Sequence, residues 1–222
     1  MVQSIQQPFK HNFLPLQKVS STDTPNGRFY KTPEGNLYQS VTTFLNKFSD
    51  NSWLDAWKEA VGEEKAKRVS TQASGRGTAV HNILEQIALN NPFYAKGQMP
   101  NNLIMAESIA KILRQNVRAI YGLEIGLWSD EMKIAGRADM LARWNDHNAI
   151  VDFKTSKYLK TEDKIHGYFL QCTLYAMMVE ELTGGQVPKI VVLIGVDHED
   201  PQVFIKNKSD FEQEVLCMVN SQ

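Results

Sequence analysis

The order of the hydrophobic patterns predicts a mixed α/β fold in which helices cover a mixed β-sheet. Helical spacing dominates the first half of the chain, and three strand-like segments follow; a further helix then leads into the continuous β-branched run 189–196. Strands joined by short turns form an antiparallel meander, whereas a strand reached through a helix is usually parallel to its neighbour. We therefore expect one sheet with both kinds of pairing, flanked by helices.

Length and composition are those of one ordinary globular domain. The 222 residues include 24 basic and 25 acidic side chains, for a net charge of −1, and 42% are hydrophobic. Such a chain is long enough to bury a core without disulfides. We expect one domain over 1–222, with an N-terminal arm and hairpin (1–39), a core (40–196) and a C-terminal strand and helix (197–222). The near-zero charge excludes nucleic-acid binding driven by bulk electrostatics alone, so any such affinity must come from a local groove or a bound metal.

Targeting and redox signals are few. The N-terminal sequence MVQSIQQPFKHNF has no secretory or transit pattern, and no apolar run approaches the roughly 20 residues that span a bilayer. These features predict a cytoplasmic protein without a membrane partner; for a phage-encoded protein the compartment would be the host cytoplasm. The two cysteines, Cys172 and Cys217, are too few for a disulfide framework or a four-thiolate iron–sulfur cluster.

The first half of the chain is predicted to contain an irregular arm, a hairpin and four helices. The arm extends to about Asn26, and the turn residues 33–36 separate two extended runs that suit a β-hairpin. Ser40 is placed to cap a short helix. Helical spacing then predicts helices near 52–67, 71–90 and 103–121, the second of which contains Gly75 and Gly77.

The second half is predicted to contain the sheet. Strands are expected at 123–128, 132–144 and 149–154, with a turn at 145–148. A helix over 161–182 ends at Gly184 and Gly185 and leads to a buried strand at 189–196. A strand at 203–206 and a helix from Ser209 complete the prediction.

The stretch IAGRADMLARWNDHNAIVDFKTSK carries the most chemical information. Because strand side chains alternate between faces, Asp152 and Lys154 point to the side opposite Val151 and Phe153, which suit the core. Asp139 lies on the preceding strand, so a short hairpin can bring the two carboxylates together. Paired carboxylates repel unless a divalent cation neutralises them, and a nearby lysine could then polarise water or hold a phosphate oxygen. The alternative is a surface ion pair between Asp152 and Lys154 on an edge strand.

Four short motifs in this order resemble the PD-(D/E)XK nuclease superfamily. They are Arg76-Gly77-Thr78-x-x-His81-x-x-x-Glu85, Gly136-Arg137-Ala138-Asp139, Asp152-Phe153-Lys154-Thr155 and Gln171-x-x-x-Tyr175. The pattern is most similar to the RecB-type branch, in particular to the mitochondrial genome maintenance exonuclease and related phage exonucleases. The resemblance covers residues 40–196, implies a restriction-endonuclease-like core, and departs from the name-giving motif in having Ala138 in place of proline.

The resemblance implies a role for each motif residue. Asp139, Asp152, the Phe153 carbonyl and His81 would bind metal, while Lys154 would orient or activate the attacking water. Gln171 and Tyr175 would border the reaction site, and Glu85 would support the metal ligands from behind. Arg76 and Arg137 would contact phosphates, and Trp53 and Trp57 would stack on bases. Structural alternatives remain open, because an inward histidine, a buried tyrosine and helical tryptophans are often plain packing residues. No role is assigned to Glu124 or Glu131.

The resulting functional hypothesis is a Mg²⁺- or Mn²⁺-dependent deoxyribonuclease, acting as an exonuclease on single-stranded DNA or DNA ends. Oxygen-rich ligands favour these hard ions over zinc. The alternatives are a nuclease that processes double-strand ends in recombination, a non-catalytic nucleic-acid-binding module of the same fold, and a structural metal-binding domain. Replication, recombination or repair would be its context, with proteins of these processes as partners.

Overall fold

The computed structural model describes residues 7–50 and 52–221, without the side chains of residues 53 and 54. The strands are β1 Ser20–Thr24, β2 Gly27–Lys31, β3 Leu37–Ser40, β4 Val117–Ser129, β5 Ile134–Trp144, β6 His147–Ser156, β7 Lys189–Val196 and β8 Gln202–Asn207. The helices are α1 Val41–Asn46, α2 Ser52–Val61, α3 Glu63–Ala88, α4 Pro100–Asn116, α5 His166–Thr183 and α6 Ser209–Asn220, with a 3₁₀ turn at Glu162–Ile165 before α5.

These strands form one mixed sheet, which confirms the predicted fold class. Strands β4, β5 and β6 are the antiparallel meander. Strand β7, reached through α5, lies parallel to β6, and β8 returns antiparallel to β7. The hairpin of β2 and β3 attaches through β3, which runs parallel to the start of β5.

Strand β5 has two neighbours on one edge, and this arrangement creates an opening in the sheet. Strand β3 pairs with β5 only at Ile134 and Ala135. Strand β6 pairs with it only from Met140 to Trp144. Among the described residues, the intervening segment of β5, residues 136–139, pairs with β4 on one edge and with no strand on the other. The sheet therefore forks beside the Gly136-Arg137-Ala138-Asp139 motif.

Two apolar layers cover the sheet. On one face α3 and α4 pack against strand residues that include Val151 and Phe153. On the other face α5, with α1 and α6, packs against residues that include Ile150 and Val192. The alternation predicted for β6 is thus confirmed, because Val151 and Phe153 are in the core of the α3 and α4 side.

Several element boundaries differ from the predictions. The break between the second and third helices falls at Gly62, whose φ of 84° suits glycine, and α3 then runs without interruption through Gly75 and Gly77. Helix α4 ends at Asn116 because the next residues pair with β5. The arm is also more ordered than predicted: 20–24 form β1, and residues 10–14 hydrogen-bond to β4 at Ile120 and Tyr121.

The local signals that the sequence provides for caps are confirmed. The Ser40 hydroxyl accepts the Thr43 N–H at 3.0 Å and begins α1. Gly184 ends α5 in the left-handed conformation, with φ of 70°. No helix in the described part of the chain is long and apolar enough to cross a membrane.

Candidate active site

The candidate site lies at the fork where β5 and β6 separate. Met140 and Val151 form the last pair between the two strands, and by the same register Asp139 and Asp152 stand opposite each other just beyond it. With no strand carbonyl available there, the Phe153 N–H donates to Asp139 Oδ2 at 2.7 Å. Side chains from both faces of the sheet can meet here because the backbone no longer closes the gap.

His81 reaches this opening from α3. Its Nδ1 lies 3.3 Å from Asp139 Oδ1, and its ring stands edge-on to Phe153 with centroids 6.0 Å apart. The apolar stripe of α3, with Val80 and Leu84 buried, fixes the direction in which His81 points. The structure therefore brings together the helix histidine and the strand carboxylate that the sequence singled out.

Asp152 and Lys154 lie on the α5 side of the opening. The Lys154 ammonium is 2.5 Å from Asp152 Oδ2, and Asp152 is 2% exposed. This pair is thus buried and is not the surface ion pair of the alternative interpretation. Asp152 Oδ2 is itself the oxygen that contacts the Lys154 ammonium, so this carboxylate is engaged in the ion pair.

Lys154 also contacts an aromatic residue that the sequence analysis did not select. Its Nζ lies 4.9 Å from the ring centroid of Tyr168, a cation–π distance. Tyr168 precedes Gln171 by three residues and Tyr175 by seven, so the three share one face of α5. This separation of three and seven residues from Gln171 and Tyr175 is the signal in the sequence that could have identified Tyr168.

Glu124 is a second site residue that the sequence analysis left without a role. Its neighbours Leu123 and Ile125 pair with Met140 and Ala138, so Glu124 lies opposite Asp139 across β4 and β5. Its φ of 45° is in the left-handed region, a strained conformation for a residue with a side chain. Only the register of the β4–β5 hairpin, set by the turn at 130–133, could have indicated this position.

His81, Glu124 and Asp139 form a cluster with the dimensions of a metal site. One ligand atom from each residue lies within 4.8 Å of the others. Two atoms bound to one Mg²⁺ at about 2.1 Å are at most about 4.2 Å apart, so only small shifts are needed. Asp152 is not in this cluster, since its carboxylate contacts Lys154.

The two aspartates have opposite electrostatic environments. Burial and the neighbouring Asp139 raise the pKa of Asp152 to about 6, although Lys154 opposes the shift. Burial also acts against ionisation of Asp139. There, however, the hydrogen bond and charge of His81, with Lys154 and the Phe153 N–H, outweigh burial and hold the pKa of Asp139 below its usual value.

The other three groups respond to these carboxylates. Burial and the charge of Asp139 raise the pKa of Glu124 to about 7. Burial disfavours the charged forms of His81 and Lys154, but the nearby aspartates outweigh it and raise the pKa of both. Lys154 is therefore protonated at neutral pH and can orient a group, but in this state it cannot accept a proton.

Gln171 and Tyr175 lie beneath the opening. Gln171 Nε2 donates to the Tyr175 hydroxyl at 3.5 Å, and Tyr175 is 4% exposed. The Tyr175 ring packs against Gly136, where an added Cβ would lie 2.7 Å from its Cε1. Gly136 is thus required for the close approach of α5 to β5, while the contact to Lys154 comes from Tyr168.

The remaining predicted residues lie around this centre. Arg137 is exposed and 3.9 Å from Glu124, whereas Arg76 pairs with Asp197 at 2.9 Å. His81 hydrogen-bonds to Asp139. The charge of Glu85 acts instead on Glu124, whose pKa it helps to raise. Trp57 is half-buried on α2, and the Trp53 side chain lies outside the described residues.

The family of the chain can be identified from the part of its sequence that forms the strands of the site and helix α5. Residues 103–216 match the family model of the PD-(D/E)XK nuclease superfamily. The chain belongs to the PD-(D/E)XK nuclease superfamily. The matched range includes Glu124, Asp139, Asp152 and Lys154 but not His81, which α3 supplies. Membership supports nuclease activity on nucleic acid, in a superfamily that typically uses divalent metals.

Other comparisons add only distant likenesses to this PD-(D/E)XK chain. A structure from Eubacterium rectale, described as an exonuclease candidate, is 23% identical with a TM-score of 0.45, and the match covers 68% of this chain and 64% of that chain. A structure of SSO0001 is 13% identical with a TM-score of 0.34, covering 64% of this chain and 75% of that one. No functionally curated protein matches the chain.

Proposed function

We propose that this PD-(D/E)XK protein is a Mg²⁺- or Mn²⁺-dependent DNA exonuclease that acts on unpaired strands and strand ends. The observation that carries the proposal is the meeting of His81, Glu124 and Asp139 at the fork, next to the buried Asp152–Lys154 pair. Acidic oxygens, one imidazole and a fixed ammonium form the set of groups that phosphodiester hydrolysis needs.

The residues present fit a hard divalent cation. Two carboxylates and one histidine, Glu124, Asp139 and His81, are grouped at the opening, and the Asp152 carboxylate lies nearby in its ion pair with Lys154. Burial and, after it, repulsion from Asp139 raise the pKa of Glu124 and Asp152, and a bound cation would oppose both effects by favouring the ionised carboxylates. Carboxylate oxygens favour Mg²⁺ or Mn²⁺ over zinc, for which nitrogen and sulfur ligands are more usual.

We assign the ligand roles to His81, Glu124 and Asp139, with Asp152 and the Phe153 carbonyl as further ligands. When bound, a divalent cation supplies positive charge to the scissile phosphate and lowers the pKa of a coordinated water. The Phe153 N–H holds the Asp139 carboxylate in position for this role. Glu85, close enough to raise the pKa of Glu124, would support the cluster from behind.

Lys154 is assigned the role of orienting the attacking water and of stabilising charge on the phosphate. Its ammonium is anchored between Asp152 and the Tyr168 ring, so it is positioned before substrate arrives. Gln171 and Tyr175 would border the reaction site from α5. The exposed Arg137 is the better placed of the two arginines for a phosphate contact, because Arg76 already pairs with Asp197.

The proposed domain is the whole of 1–222, with the catalytic core at 40–196 and additions at each end. Unpaired DNA is the proposed substrate because a chain of net charge −1 has little long-range attraction for duplex DNA. A single strand, in contrast, can be bound by a few cations and aromatic side chains, for which Trp53 and Trp57 remain candidates. Replication and recombination proteins are the proposed partners.

The test is digestion of end-labelled linear single strands, circular single strands and blunt duplexes, with and without Mg²⁺ or Mn²⁺. We expect metal-dependent shortening of the linear single strands, slower digestion of blunt duplexes, and resistance of circles, which offer no end. Rapid cutting of circles would indicate an endonuclease, and a preference for blunt ends would favour the double-strand alternative. An absence of cleavage, with strand binding retained, would favour the non-catalytic module.

A further inference from the structure

A cavity of about 870 Å³ lies beside the candidate active site, between the end of α1, the start of α5 and α6. Its size is within the range of about 300 to 1,000 Å³ that is typical of sites for small organic groups. Apolar and aromatic side chains contribute to its lining, among them Leu45, Phe48, Tyr168 and Met218. None of the residues assigned to metal binding or catalysis above belongs to this lining.

Tyr168 connects the cavity to the proposed reaction centre. The ring that lines the cavity is the one on which the Lys154 ammonium rests, at 4.9 Å from the centroid. The Tyr168 side chain therefore adjoins both spaces. A group held in the cavity would be adjacent to whatever Lys154 contacts.

Two lysines of the cavity lie outside the close ion pairs among the described residues. Lys160 and Lys164 line it, and neither forms an ion pair in the described part of the chain. They therefore offer positive charge to a group that carries a negative one.

The acidic side chains of the lining, in contrast, have partners. Asp50 accepts the Ser52 N–H at 2.9 Å, and Glu214 pairs with His166 at 2.9 Å. A hydrogen bond with Thr161 and, to a lesser extent, the charge of Lys164 lower the pKa of Asp163. Their negative charge is thus partly compensated within the protein.

We propose that this cavity receives the unstacked base of the nucleotide next to the scissile phosphate. The inference rests on the proposed nuclease function and names a substrate subsite for it. Phe48, which is 42% exposed, and Tyr168 supply aromatic surface for the base, while Lys160 and Lys164 supply charge for the adjoining phosphate. Because every base has an aromatic face, such a subsite accepts all four bases.

The subsite also explains a requirement for an unpaired strand. A base inside a duplex must lose its stacking and its pairing before it can enter a pocket, whereas a base in a single strand loses only weak stacking. The selection for unpaired DNA would then be made at the nucleotide that adjoins the scissile phosphate.

The test is a set of single-stranded oligonucleotides of one sequence, each with one abasic nucleotide at a different position, digested in Mn²⁺. We expect cleavage to slow about 10-fold at one fixed offset from the abasic nucleotide and to change little at other offsets. In Phe48→Ala, the unmodified strand should be cut about 10-fold more slowly, and the abasic penalty at that offset should shrink, since the base and the ring form one interaction.

Phe93→Ala is the matched control, because Phe93 is 73% exposed and does not line the cavity. It should show the wild-type rate and the wild-type abasic penalty. Phe48→Leu, which keeps an apolar contact to Phe44, separates loss of the ring from loss of folding and should behave like Phe48→Ala. Wild-type cleavage that is indifferent to abasic position would overturn the subsite alone. No metal-dependent cleavage of the unmodified strand would overturn the proposed function and the subsite with it.

Discussion

Asp139 accepts the backbone N–H of Phe153 at 2.7 Å, immediately beyond the last residue pair that joins β5 to β6. The carboxylate takes the place of the strand carbonyl that would otherwise satisfy this N–H. One side chain thus caps the end of the strand pairing and contributes an oxygen to the His81, Glu124 and Asp139 cluster. Stability and the proposed metal binding would therefore be coupled at this residue.

This double role predicts different outcomes for two substitutions of Asp139. Asp139→Asn keeps an oxygen acceptor for the Phe153 N–H and should lose Mn²⁺ binding and cleavage while melting near the wild-type temperature. Asp139→Ala also leaves that N–H without a partner, at a cost of about 1 to 3 kcal/mol, and should melt several degrees lower. Calorimetric Mn²⁺ titration and thermal melting measure the two effects. Equal melting temperatures for both variants would contradict the capping role.

Lys154→Ala should reduce cleavage about 100- to 1,000-fold, because the proposed role of the ammonium is to orient water and stabilise phosphate charge, and it is not part of the ligand cluster. Strand binding should be largely retained, as measured by fluorescence anisotropy, whereas the melting temperature should fall because the buried Asp152 loses its partner. Lys157→Ala is the matched control, since Lys157 follows β6 and is exposed. Wild-type turnover in Lys154→Ala would remove the assigned role.

His81→Ala should weaken Mn²⁺ binding by more than about 10-fold and shift the metal dependence of cleavage, with little change in melting temperature. The weakening is expected because the variant lacks one of the three proposed ligands, which in the wild-type protein is hydrogen-bonded to Asp139. Asn82→Ala, an exposed neighbour on α3, serves as the control. A large fall in melting temperature with unchanged Mn²⁺ binding would instead identify His81 as a packing residue.

The pKa values predict that the metal-free protein loses stability as pH rises through the range 5 to 8. Glu124 and Asp152 have pKa values of about 7 and about 6, above the usual carboxyl range. In this pH range the folded protein therefore retains protons that the unfolded chain has released, so a rise in pH favours unfolding. His81, whose pKa is also raised, acts in the same direction because its protonated form stabilises the fold until pH exceeds that pKa. The shift of Asp139 has the opposite sign, but its effect is complete above about pH 5.

Metal ions should reverse this trend. We expect Mn²⁺ to raise the melting temperature more at pH 7.5 than at pH 5.5, because binding requires the ionised carboxylates. Glu124→Gln should flatten the pH dependence of the metal-free protein and reduce the Mn²⁺-induced shift. Thermal melting across this pH range measures both effects, and a Glu124→Gln curve identical to wild type would contradict the ligand assignment of Glu124.

Gly136→Ala should destabilise the protein by about 1 to 3 kcal/mol, because the new methyl group would meet the buried Tyr175 ring. Combining it with Tyr175→Leu should cost less than the sum of the two single changes, since the smaller side chain makes room. Gly75→Ala, a helical position with open space around it, should be neutral or stabilising. Additive losses at Gly136 and Tyr175, measured by denaturant unfolding, would contradict this contact.

Local sequence patterns were sufficient for most elements and for part of the site. The Ser40 cap, the Gly184 stop and the β-branched run 189–196 are short-range signals, and each marks the predicted element. The alternation in β6 likewise predicted that Val151 and Phe153 share one face, although Ile150 and Asp152 on the opposite face are buried as well. Boundaries failed where a distant strand competes with helix propensity, as where α4 gives way to β4 at Val117.

The site residues show the same limit. The motifs containing His81, Asp139, Asp152 and Lys154 were visible in the sequence because residue type and order are local properties. Glu124 was not, because its place opposite Asp139 depends on the β4–β5 register and on an unusual left-handed backbone.

The sequence by itself determined the fold class, the main elements and the residue types available for phosphodiester chemistry, since these follow from periodicity and side-chain character. The tertiary structure alone decided that β5 is shared between β3 and β6, and that the sheet therefore opens beside Asp139. It also decided that His81 arrives from one face and Lys154, packed on Tyr168, from the other. The physical reason is that pairing partners and packing distances are set by contacts between segments far apart in the chain, which no local pattern specifies.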